Sequence, residues 1–149
     1  MGLRLESFVC LSAVLLIACG GGESGLPKGD AAKGKAAVAE RSCTGCHGQD
    51  LAGTTTELSD TVTHLPDTKA YSSNLTPDTE TGIGDWSDDE LAAAIRNGVD
   101  DADKAMCEPM PIYKSMSDEE LANIIAYLRT LPAVKKEIPE SSCPSQPKT

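Results

Sequence analysis

Apolar residues collect in four places along this chain, separated by long polar stretches. Phe8 to Ala18 is an almost unbroken apolar run. A second, alanine-rich segment from about Asp30 to Arg41 has the composition of a helix. Leu91 opens the third group directly behind Ser87-Asp88-Asp89-Glu90. The fourth, Leu121, Ile124, Ile125, Leu128 and Leu131, repeats at helical spacing behind Ser117-Asp118-Glu119-Glu120. Both polar tetrads place Glu three residues after Ser, the capping-box signature of a helix start. The third group should close near Gly98, a residue suited to a helix end, and the fourth at Pro132, which cannot continue one. The likeness of SDDELAAAI to SDEELANII follows from this shared start chemistry without a duplication. Residues 50–85, rich in Thr, Asp and Gly, read as loop. No segment alternates as a strand would, so the pattern predicts an all-α domain.

The first apolar group has a different meaning. It is well short of the roughly 20 residues of a membrane-spanning helix. Arg4 precedes it, and it ends in Leu16-Ile17-Ala18-Cys19, which resembles the lipobox of bacterial lipoproteins. The expectation is a signal peptide over residues 1–18, lipid on Cys19, and a flexible tether over 19–28 that begins with Gly20, Gly21 and Gly22. An ordinary leader cut nearby, with Cys19 incidental, is the alternative. Gly20 in place of Asp behind the cysteine favours the outer over the inner membrane for a lipid-anchored, periplasmic protein.

Composition sharpens this picture in two ways. The 149 residues suit one domain, and the net charge of −10 survives loss of the leader because Arg4 and Glu6 cancel. So acidic a surface does not neutralise phosphates, which sets nucleic acid aside as a partner. Beyond the leader only Tyr71, Trp86, Tyr113 and Tyr127 are aromatic. Each such ring normally buries on the order of 150–250 Å², so a domain with so few points to a cofactor in its interior.

The six cysteines divide by context. Cys10 leaves with the leader, and Cys19 is the lipid candidate. Cys107 and Cys143 remain as a pair in a chain read as exported, where disulfides persist; bridging them would contribute on the order of 3–4 kcal/mol through chain entropy. Cys43-Thr44-Gly45-Cys46-His47 is the attachment signature of haem c. Two thiols two residues apart can bond the two vinyl groups on one porphyrin edge, and the following His can bind the iron. A zinc site would want a second ligand cluster, which Cys107, Cys143 and His64 do not form. A thioredoxin-like pair would want a βαβ pattern, and none is visible. One motif implies one covalent haem.

The other face of the iron decides between carrier and catalyst. Met110, held between Pro109 and Pro111 in a stiff loop, is the first choice for distal ligand, ahead of Met106 and then Met116. All three could instead merely pack, as methionines usually do. His64 would give bis-His ligation but lies in a Thr-rich stretch that reads as solvated loop. The acidic clusters at 78–90, 100–103 and 118–120 are accounted for in part by helix dipoles, with the remainder a solvated face or a docking surface for a basic partner.

From about Gly29 to Val134 the arrangement resembles the class I monohaem c-type cytochromes: an N-terminal helix, Cys43-x-x-Cys46-His47, a loop methionine, and a C-terminal helix with Tyr127-Leu128. Asn74-Leu75-Thr76-Pro77, Thr81-Gly82-Ile83-Gly84 and Trp86-Ser87 are similar to cytochrome subunits that take electrons from periplasmic dehydrogenases. The resemblance implies a small helical domain around one haem c over residues 29–135, followed by a C-terminal tail over 136–149. It further implies Met110 as distal ligand, and Trp86 and Tyr71 as contacts of the haem or its propionates; Trp86 could equally be core. A single haem departs from the several of dehydrogenase subunits, and the Cys107 and Cys143 pair lies outside the general pattern. The expected function is a lipid-tethered electron carrier, not itself an enzyme, whose redox partners would be a dehydrogenase or a terminal oxidase. The alternatives are an open-site haem protein, such as a gas sensor or peroxidase, and a fixed cytochrome subunit of a dehydrogenase complex.

Overall fold

In the computed structural model, residues 25–58 and 68–143 are described. The leader, Cys19 and His64 lie outside them. Among the described residues four helices form: α1 (Ala31–Glu40), α2 (Thr44–His47), α3 (Asp88–Asn97) and α4 (Asp118–Leu128). Among the described residues β-pairing is limited to two isolated bridges, Lys69 with Ser142 and Val99 with Ala105, so the domain is all-α. No described helix is long and apolar enough to cross a membrane.

Local chemistry sets the helix starts. The Asp30 side chain caps α1 by accepting from the N–H groups of Ala32 and Lys33. At α3 the box is complete: Ser87 accepts from the Glu90 N–H, and the Glu90 carboxylate accepts from Ser87. The expected second box at α4 is only half made. Ser117 accepts from the Glu120 N–H, but the Glu120 carboxylate turns away to take both guanidinium arms of Arg41 at 2.8 and 2.9 Å. A paired charge outcompetes a neutral backbone donor there. Gly98 closes α3 in the left-handed conformation, while α4 ends at Leu128, ahead of Pro132.

The core is built where α4 crosses α1, with α3 packed on α4. Leu121, Ile124, Ile125 and Leu128 of α4 meet Val38 and Ala37 of α1, Leu91 of α3, and Leu51, Ile83 and Met116 from the connecting segments. The crossing is close enough to need glycine. A β-carbon on Gly34 would collide with the Asn123 carbonyl and sit 2.8 Å from Cβ of Tyr127. The three acids that open α4 do more than complement its dipole. Asp118 pairs with Arg96 of α3, Glu119 with Lys33 of α1 and Glu120 with Arg41 at the end of α1.

Candidate haem-attachment site

Helix α2 carries the chemistry. Cys43 caps it with helical angles (φ −56°, ψ −36°), and the N–H groups of Cys46 and His47 both bond to the Cys43 carbonyl. Residues three and four apart share one face of a helical turn. Cys43, Cys46 and His47 are therefore presented together, all half-buried, with both thiols free. Burial raises the pKa of the Cys43 thiol, and the side chain packs against the core.

His47 is oriented from outside its own element. Its Nδ1 lies 2.8 Å from the carbonyl oxygen of Ser73. A carbonyl can only accept, so Nδ1 carries the proton and Nε2 is left with its lone pair. Burial lowers the imidazole pKa, with the Ser73 bond acting in the opposite direction, which favours the neutral ring that a metal needs. A second-layer carbonyl of this kind is the usual partner of a metal-binding histidine. Two free thiols and a pre-oriented imidazole on one turn thus fit a covalently attached haem. Among the described residues no three His, Cys, Asp or Glu side chains converge to hold a metal ion by themselves.

The remaining sequence candidates fall into three groups. Tyr71, Met106, Cys107 and Cys143 line a cavity of about 980 Å³ that also reaches Ser73. Cys107 and Cys143 stand as a disulfide with Cα atoms 5.8 Å apart. Met110 is half-buried in the following loop, three residues beyond Cys107, its N–H bonded to the Cys107 carbonyl. Met116, the third-choice methionine, packs in the hydrophobic core. Trp86 is partly buried against that core, and its carbonyl accepts from Arg129, which also reaches the Ile83 carbonyl and Asp88.

Ser73 and Tyr113 shape the site but carry no sequence signature. Ser73 acts through its backbone, which any residue supplies. Tyr113 lies near enough to Cys43 for the thiolate charge to raise its pKa, second to burial, and Arg41 stacks 5.4 Å above its ring. Residues 74–84 are tied into a knot: Asn74, 2% exposed, donates to the Val134 carbonyl and to Thr81, and accepts from the backbone and hydroxyl of Thr76.

The cytochrome c family profile matches residues 31–132, a span containing the four described helices. The gluconate 2-dehydrogenase cytochrome c subunit of Pantoea cypripedii is 39% identical over 93 residues, covering 57% of this chain and 19% of the relative. The fructose dehydrogenase cytochrome subunit of Gluconobacter japonicus is 30% identical over 110 residues, 65% of this chain and 21% of the relative. A nicotinate dehydrogenase subunit of Pseudomonas putida is 28% identical over 109 residues, 72% of this chain and 9% of the relative. The chain spans about a fifth or less of the length of these curated relatives. With the attachment turn, the helical fold and the profile in agreement, this chain belongs to the cytochrome c family.

Proposed function

We propose that this protein is a periplasmic electron carrier with one haem c, tethered to the membrane by lipid on Cys19 and working with a dehydrogenase. The observation that carries the reading is the attachment turn, with Cys43, Cys46 and His47 together and His47 tied to Ser73 through Nδ1. Cys43 and Cys46 would hold the porphyrin as thioethers, His47 and Met110 would ligate the iron, and Tyr71 and Trp86 would contact the group. When bound, haem supplies a one-electron ferrous/ferric couple. Ligation by both side chains would leave no open position for substrate, and a thioether donor favours the ferrous form relative to bis-His ligation. The Cys107–Cys143 bridge, three residues before Met110, would restrain the ligand loop. Two of the relatives are named as cytochrome subunits of sugar-acid and sugar dehydrogenases, which supports a dehydrogenase as the electron source. A fixed place in such a complex is the second reading, favoured by the same relatives.

The axial assignment is tested on the ferric protein by the weak charge-transfer band of methionine–iron ligation. The band should be present in the wild type, survive Met106→Ala and vanish in Met110→Ala, which should also bind carbon monoxide readily once reduced. Ready carbon monoxide binding by the wild type would instead favour an open-site haem protein. Co-purification in a stable complex with a dehydrogenase would favour the fixed-subunit reading.

A further inference from the structure

The Ser73 carbonyl that orients His47 is itself clamped from two sides. On one side lies Gly53, buried and at φ +76°. Its N–H bonds to the His47 carbonyl at 2.9 Å, and a β-carbon there would collide with the Ser72 carbonyl oxygen and also meet two atoms of the next peptide, the Ser73 carbonyl carbon at 2.8 Å and the Asn74 nitrogen at 2.9 Å. Those two atoms belong to the peptide that carries the Ser73 oxygen. Any side chain at residue 53 would push this peptide, and with it the acceptor of His47. On the other side Asn74 is anchored to the segment after α4, donating to the Val134 carbonyl at 2.7 Å and to Thr81 Oγ1 at 3.3 Å. Thr81 Oγ1 also accepts from the Lys136 N–H, and Lys136 Nζ reaches the Gly53 carbonyl. The clamp is therefore closed: Gly53, the Ser73–Asn74 peptide and the 134–136 segment hold one another.

We propose that Gly53 and Asn74 are positioning residues for His47, setting the strength of its Nδ1–H bond to Ser73 and so the donor strength of the ring. The proposal rests on the reading that His47 ligates haem iron. A stronger Nδ1–H bond makes the imidazole more basic, which favours ferric iron; a displaced carbonyl weakens it and raises the potential.

The test uses the holoprotein in two uncharged variants, Gly53→Ala and Thr81→Val. NMR reads the solvent exchange of the His47 Nδ1 proton, and a redox titration reads the midpoint potential. Gly53→Ala should speed exchange at least tenfold and raise the potential by about 59 mV, the equivalent of a tenfold change in the ferric/ferrous equilibrium of a one-electron couple. Thr81→Val, which removes the acceptor shared by Asn74 and Lys136, should move both in the same direction by less. A purely structural role would lower thermal stability while leaving both readouts in place. If Gly53→Ala fails to retain haem, Thr81→Val decides alone. Haem attached with both readouts at wild-type values overturns this positioning role. A wild type without covalent haem overturns the functional reading, and the role falls with it.

Discussion

Gly34 faces two opposing demands. Glycine inside a helix costs about 1 kcal/mol relative to alanine, so propensity alone would make Gly34→Ala stabilising. The α1–α4 crossing reverses the sign, because the added carbon meets the Asn123 backbone rather than a movable side chain. Overpacking of that kind costs about 1–3 kcal/mol or more, so the substitution should lower stability in a denaturant titration; a gain would mean the helices separate freely. At this scale the candidate haem-site residues are legible because their chemistry lives in side chains: Cys43, Cys46 and His47 announce themselves by spacing. Ser73 and Gly53 are not, since one contributes a carbonyl and the other an absence of atoms. Asn74 stands in a recognisable motif, but its hydrogen bonds to Thr76, Thr81 and Val134 join segments up to 60 residues apart, which spacing cannot reveal.

At the scale of elements, both helix starts are readable from Ser and Glu, yet only α3 uses the full box. The difference lies in Arg41, whose guanidinium claims Glu120 from the end of α1. Ser87→Ala should therefore cost about 1 kcal/mol, with Ser117→Ala in the same range through its single bond. The pH response separates them. Hydrogen bonds from the Ser87 backbone and hydroxyl hold the Glu90 carboxyl below its usual value of 4.5. A lowered folded-state pKa means that the bond contributes fully above about pH 4.5 and is lost as pH falls through the folded value. Glu90→Gln should accordingly flatten the stability profile over that acidic window alone, and a profile parallel to wild type would remove the box as its cause. The short α2 turn escapes a reading by periodicity, because four residues give no repeat.

For the whole molecule, the segment after α4 does more than end the chain. It runs from Val134, bonded to Asn74, through Lys136 at Gly53 and Ser142 at Lys69, to Cys143 at Cys107. Residues 136–143, which read as tail in the sequence, are thereby fastened across the domain. The bridge closes a 36-residue separation, so Cys143→Ser should lower unfolding free energy by about 3–4 kcal/mol. If the bridge also restrains the Met110 loop, mild reduction should weaken the methionine charge-transfer band, and an unchanged spectrum would confine the bridge to stability. The fold class is visible from helical spacing and capping, and the cysteine pair announces the far end of this strap; the path of residues 134–142 is not legible, since it is irregular and held largely through backbone groups.

The functional reading depends on Cys43 and Cys46 holding a porphyrin, and the intact mass of the protein tests that most directly. Matured alongside the haem-attachment machinery, the wild type should weigh the polypeptide plus one haem and any lipid, and the haem should remain through denaturation and acid–acetone extraction. Cys43→Ala/Cys46→Ala should weigh the polypeptide and lipid alone. A wild type at that same haem-free mass would contradict the account.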